Sequence, residues 1–246
     1  MAARKKPARA RPSRSRSSAS GKVRRRIVLL LVVTVALAGA WSWWRLQHWT
    51  PSLADFPEQG IAVGDGGAPV DLRAAKALGA SFAYVTASIG ESGRDPGFAD
   101  YFRTAGEAGM ARGAVHLFDP CAPADRQSSN FVTIVPRDPA LLPPVIALER
   151  TTQDCIEPVG EAAVESELMT LINQIEAHAG KPVILRVSRG FEERYGVART
   201  IERSLWLTRT RLAPDYAGRP WLLWTANARL RSEASGGPVR WVVVRP

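Results

Sequence analysis

Between Arg26 and Arg45 the chain carries no charged residue, and residues 27–40 read IVLLLVVTVALAGA. A run of this kind fits a membrane-spanning helix better than any element of a water-soluble core. Residues 27–44 give 18 positions, at the lower end of what a bilayer requires. Trp41, Trp43 and Trp44 stand at its far end, where amphipathic rings prefer the membrane–water boundary. Arg24, Arg25 and Arg26 flank its near end. The positive-inside rule then keeps the N-terminus in the cytoplasm and exports everything after Trp44. A second reading stays open, because Ala38-Gly39-Ala40 matches a signal-peptidase site and the run is then a cleaved signal.

The formal charge of +10 suggests a nucleic-acid binder until it is located. Eleven of the 33 Lys and Arg lie within residues 1–26, which hold no acid. The remaining chain has 22 basic against 23 acidic residues, a net of −1. A domain that tracks phosphates along a basic face is therefore not expected. The Arg/Ser/Pro-rich segment 1–26 lacks the apolar residues of a core and reads as a disordered tail, drawn to anionic lipid. Residues 45–58 read as a linker and 59–246 as one folded domain.

In that domain apolar runs alternate with helical patterns. Strands are expected over residues 61–63, 81–87, 111–118, 145–148, 183–187, 205–208, 221–225 and 239–244. Helices are expected over 70–78, 96–108 and 161–179. The last shows Val164, Leu168, Leu171, Ile172 and Ile175 on one stripe before Gly180. Strand–helix alternation argues for a parallel sheet, and eight strands argue for closure. The expectation is an α/β fold, an irregular (β/α)8-like barrel of about 190 residues.

Several segments then resemble glycoside hydrolase family 25, the muramidase-type lysozymes. They are Gly60-Ile61-Ala62-Val63 with Val70-Asp71, and Phe82-Ala83-Tyr84-Val85 with Ala87 and Gly90. Asp95-Pro96-Gly97-Phe98, Ala108-Gly109-Met110 and Gly113-Ala114-Val115-His116-Leu117-Phe118 follow. Pro143-Pro144-Val145-Ile146-Ala147-Leu148-Glu149, Lys181-Pro182-Val183-Ile184, Leu205-Trp206 and Trp224 complete the series. The resemblance implies a barrel whose site lies at the C-terminal strand ends, a peptidoglycan ligand, no cofactor and no metal. Together with the apolar run and its flanking arginines, it gives the expectation of a bacterial inner-membrane protein with the barrel outside the cytoplasm.

Glycoside hydrolysis needs a proton donor and a second carboxylate that supports positive charge on the sugar. The resemblance places acids at the positions of Ala62, Ile89, Ala147 and Arg240, and all four are substituted. Glu149 alone survives, as the general acid/base or as a solvated strand-end residue paired with Arg150 or Arg186. His116 is either a wall of the site or a core histidine. Asp65, Glu91 and Asp119 lie near strand ends and are candidates to replace a lost acid. Tyr84, Trp206 and Trp224 are candidate sugar platforms, whereas Trp221 reads as core. His48, His116 and His178 have no metal-ligand spacing. Ser-His-Asp chemistry has no elbow motif behind it, and Gly64-Asp65-Gly66-Gly67 lacks the Lys of a phosphate loop.

Cys121 and Cys155 follow the third and fourth strands, which a parallel sheet delivers to one end of the barrel. A disulfide between them is expected to close about 35 residues. The expected protein is a membrane-anchored, peptidoglycan-directed barrel with weak or absent hydrolase activity. The alternatives are an active muramidase using Glu149 and a relocated carboxylate, and a protein–protein scaffold.

Overall fold

The computed structural model describes residues 18–64 and 66–246. Asp65, one of the candidate acids, lies outside the described residues. The described residues fall into two compact units, one ending at Leu46 and the other beginning at Gln47.

The described part of the first unit is helix α1, Ser18–Gln47. Its segment Val23–Gln47 has 25 residues and is long and apolar enough to cross a membrane. At 1.5 Å per residue it spans about 37 Å, against a hydrocarbon core of about 30 Å. Leu29, Leu31, Val35 and Leu37 are all exposed. A helix apolar on every side requires an apolar surround. Thr34 does not break that character, because its hydroxyl donates to the Leu30 carbonyl at 2.9 Å.

The second unit is a barrel. Its strands are β1 Gln59–Val63, β2 Phe82–Ile89, β3 Gly93–Arg94, β4 Ala111–Leu117 and β5 Val145–Leu148. β6 Ile184–Val187, β7 Ser204–Thr208, β8 Leu223–Leu230 and β9 Val239–Val244 complete it. The sheet runs β1-β9-β8-β7-β6-β5-β4-β2, with β1 also pairing β2, so eight strands close on themselves. β3 is a two-residue appendage, antiparallel to β2. The helices are α2 Leu72–Ala77, α3 Phe98–Glu107, α4 Ala124–Ile134, α5 Glu161–Ala179, α6 Arg189–Tyr195 and α7 Val197–Thr200.

The eight expected barrel strands are present, with one departure from a parallel sheet. β9 is antiparallel to both β8 and β1. Only residues 231–238 join β8 to β9, too few for the crossover that a parallel pair needs. Helices α4, α6 and α7 were not expected. The linker is also not free: Asn227 donates to the Trp49 carbonyl at 2.9 Å, and Phe56 packs edge-on against Trp224 at 5.7 Å.

Period-two alternation divides the strands between two cores. Ala62, Tyr84, Val115, Ala147, Ile184 and Trp206 point into the barrel. Ile61, Ala83, Ala114, Ile146 and Leu185 point outward, under the helices. The stripe of α5 packs there, and Gly180 ends that helix in the left-handed conformation at φ 66°.

The barrel interior is tight at one layer. Gly113 of β4 lies in register with Tyr84 of β2. A Cβ on Gly113 would lie 2.3 Å from Tyr84 Cε1. Gly113→Ala must push the ring off its position, and overpacking of this kind costs about 1–3 kcal/mol. Chemical denaturation of wild type and variant is expected to show that loss.

Candidate functional site

The C-terminal ends of the parallel strands form the mouth of the barrel, and the opposite end is its floor. Glu149 follows β5 directly, at the mouth. Its Oε1 lies 3.0 Å from Nη2 of Arg186, whose side chain is only 4% exposed. Arg186 faces inward because it is two residues beyond Ile184 on β6. Its guanidinium carbon lies 5.3 Å from the Trp206 ring centroid. Trp206 in turn donates through Nε1 to Thr225 Oγ1 at 2.8 Å. One polar line therefore crosses β5, β6, β7 and β8 just inside the mouth.

The register relates this line to the missing acids. Ala147 of β5 is the register partner of Arg186 on β6. Ala62 of β1 is the register partner of Arg240 on β9. Each alanine that stands where the resemblance expects an acid thus has an arginine on the neighbouring strand. Both arginines lie on inward positions, with the small alanine beside them leaving room for a long side chain. Half-buried Arg240 lines a cleft of about 170 Å³ with Gly64, Ala228 and Val239.

Several expected site residues lie elsewhere. His116 is fully buried on the outward face of β4, beneath α4. Gln127 of α4 donates through Nε2 to the carbonyls of Asp119 and Ala122, which fixes its Oε1 as an acceptor. The His116 Nε2–H then donates to that oxygen at 3.1 Å, and Nδ1 accepts from the Ser88 hydroxyl at 2.7 Å. Burial holds this imidazole down at a pKa of about 4. His116 is a core histidine, not a wall of the site. A register shift in β2 between Thr86 and Ser88 brings Ser88 opposite it.

Tyr84 points into the barrel but toward the floor, where its hydroxyl donates to the Pro143 carbonyl at 3.2 Å. Trp224 is on the outward face; its Nε1 donates to the Arg209 carbonyl at 2.7 Å and its ring meets Phe56 and Trp221. Neither offers a sugar platform at the mouth. Trp206 lies beneath the mouth, fully buried with Arg186 over its ring. Glu91 is on the turn after β2 and pairs with Arg126 at 3.2 Å.

Asp119 follows β4, pairs with Arg150 at 3.1 Å and accepts from the Cys121 backbone N–H at 3.0 Å. Cys121 and Cys155 form a disulfide, Cα to Cα 5.4 Å, that joins the loops after β4 and β5. Asp95 was not singled out from the sequence as a site residue. It is 8% exposed, and its Oδ1 accepts from the Gly97 N–H at 2.8 Å ahead of α3. Its Oδ2 lies 2.8 Å from where a Cβ on Gly64 would stand, at the end of β1. An acid directly before Pro96, at a strand–helix junction, was the available signal.

Known proteins share this architecture. A family 25 glycosyl hydrolase from Bacillus anthracis superposes with a TM-score of 0.71 at 24% identity, covering 81% of this chain and 93% of that one. A bacterial lysozyme from Streptomyces coelicolor gives 0.67 at 21% identity, covering 77% and 92%. A family 25 lysozyme from Aspergillus fumigatus gives 0.63 at 18%, covering 77% and 94%. Identities this low show the fold. Two curated relatives, uncharacterized protein YegX of Escherichia coli strains CFT073 and K12, are 24% identical over 159 residues. That stretch is 64% of this chain and 57% of each relative, so the chain spans little more than half their length. The match to the family pattern of glycosyl hydrolases family 25 runs over residues 65–228, from the end of β1 into β8. With the barrel shared and most of the chain's length matched, the chain belongs to that family.

Proposed function

We propose that this protein is a membrane-anchored binder of cell-wall peptidoglycan, with muramidase activity strongly reduced or absent. In this reading residues 1–26 are a cytoplasmic tail, 27–44 span the inner membrane, 45–58 link, and 59–246 form the extracytoplasmic barrel. Glu149 is the remaining acid of the site, acting on ligand rather than on a glycosidic bond. One observation carries the reading: Ala62 and Ala147 are each in register with an inward arginine, Arg240 and Arg186.

The physical reason is the sign of the charge. The transition state of glycoside hydrolysis develops positive charge on the sugar ring, and a carboxylate must face it. Losing one preorganised electrostatic stabiliser typically costs about 10²–10³ in rate. Here two inward positions carry guanidinium groups, which oppose the same charge. Glu149 is also engaged by Arg186 at 3.0 Å, whereas a general acid has to hand a proton to the leaving oxygen.

A second reading has one observation in its favour. The buried carboxylate of Asp95 stands against the end of β1, the strand that lacks its acid at Ala62. It is the candidate for a relocated partner of Glu149 in an active muramidase.

Dye release from labelled peptidoglycan tests both readings, using the full chain in mild detergent beside Glu149→Gln and Asp95→Asn. No release by any of the three is expected, together with co-sedimentation of the wild type with purified sacculi. Release by wild type that either substitution abolishes would establish the active enzyme. Absence of both release and sedimentation would favour a protein–protein scaffold.

A further inference from the structure

At the floor of the barrel, opposite Glu149, two cavities open side by side. The first, about 420 Å³, is walled by Phe82, Tyr84, Ile184, Leu223 and Val244. These residues come from β2, β6, β8 and β9, so the cavity is the lower end of the barrel interior. Barrels of this class fill that end with side chains, and the lining here is mostly apolar, with Glu58 and Ser81 also on it. The second cavity, about 730 Å³, lies outside the rim and is lined by Arg199, Arg203, Arg219, Arg245 and Trp221. Leu222 lines both. Its N–H donates to the Leu205 carbonyl and its carbonyl accepts from the Arg245 N–H, each at 2.8 Å, which fixes the residue the two cavities share.

The arginines are not equivalent. Arg203 is held by Glu176, with Nε 2.6 Å from Oε1. Arg219 is anchored by backbone alone, its Nε on the Ala198 carbonyl and its Nη2 on those of Ile201 and Arg203. That anchoring positions a guanidinium without neutralising it. Arg245 lies 5.9 Å from the Trp221 ring centroid, and Arg199 is exposed. Glu202 is the acid lining this groove and Glu58 the acid lining the apolar cavity, among the described residues. Arg199, Arg219 and Arg245 stand against Glu202 and the carboxylate at Pro246, which also line the groove, so cations remain in excess, in a domain that is close to neutral as a whole.

We infer that the floor binds an anionic amphiphile, one alkyl chain in the apolar cavity and a phosphate monoester head on Arg199, Arg219 and Arg245. The guanidinium fork matches phosphate oxygens. Both volumes fall within the range of about 300–1,000 Å³ that small-molecule sites occupy. A solvated arginine face would need no apolar chamber behind it, and a packing defect would need no cationic rim. The site is independent of the mouth and of its proposed glycan.

The test uses the full chain in phosphatidylcholine nanodiscs, titrated calorimetrically with octyl phosphate, inorganic phosphate and 1-octanol against empty discs. Octyl phosphate is expected to bind at least about tenfold more tightly than either fragment. Hydrogen exchange should slow in peptides covering residues 81–85, 142–146 and 217–224. The double variant Arg199→Ser with Arg245→Ser alters two exposed side chains, so the barrel keeps its exchange pattern without ligand. It is expected to lose about tenfold in affinity. Equal binding of inorganic phosphate, equal binding of octanol, an unaffected double variant, or no binding of octyl phosphate at millimolar concentration would each overturn the inference.

Discussion

Cys121→Ser combined with Cys155→Ser should lower the unfolding free energy by about 3–4 kcal/mol and the melting temperature by about 10 °C. The two cysteines are 34 positions apart in sequence, and cross-linking such a loop restricts the unfolded chain. The loops after β4 and β5 have a second tie, Arg150 to Asp119 at 3.1 Å. That ion pair is largely exposed on the arginine side, and exposed pairs contribute at most about 1 kcal/mol. The disulfide therefore dominates. Denaturant melts of wild type and double variant measure the difference, and faster amide exchange in both loops should accompany it. Equal stability, or two accessible thiols in the non-reduced wild type, would refute the account.

Acid should weaken the fold through His116. The unfolded chain protonates its histidines near pH 6.5, whereas burial holds folded His116 at about 4. Between those values the unfolded state binds more protons, so falling pH favours unfolding. Stability is complete above pH 6.5, declines through the interval, and has lost about 3 kcal/mol below pH 4, at 1.36 kcal/mol per unit of pKa. His116→Gln should flatten the slope in that window at some cost to absolute stability, because a second amide fills the ring's place imperfectly. Glu176 contributes in a lower window. Burial raises its pKa, but Arg203 and the Val183 N–H outweigh this and hold it below 4.5. A stability profile that is flat from pH 7 to 4 in the wild type would remove the argument.

The architecture was legible where residues were strongly patterned. The apolar stripe of α5 and the short apolar strands are direct consequences of burial on one or both faces. α4 was not legible because its buried face is largely polar, with Gln127, Ser128 and Asn130 beside Ala124 and Phe131. Those polar residues serve particular backbone and side-chain partners: Gln127 meets His116 and Asp119, and Asn130 donates to the Gly90 and Gly93 carbonyls. No hydrophobic period reports such a face. α6 and α7 are too short for a period to show.

Site residues were harder, for a reason of parity. Val115 and Leu223 face the barrel interior, so His116 and Trp224 must face away. Following the alternation along each strand would have assigned both correctly. Tyr84 has the right parity but the wrong end, which alternation does not reveal. The pairing of Ala62 with Arg240 and of Ala147 with Arg186 depends on strand order and stagger, neither of which is local.

The antiparallel β9 has a consequence for how the barrel comes into being. It is the stave between β8 and β1, and Trp241 donates to Gln59 Oε1 across 182 positions of sequence at 2.6 Å. Closure therefore waits for the last strand to be made. Contacts this distant are slow to form, because the intervening chain must be ordered first. Until then β1 and β8 present unpaired edges, which invite pairing with other chains. A nascent chain held short of Val239 would be an open, adhesive sheet, whereas six more residues give it a partner for both edges at once.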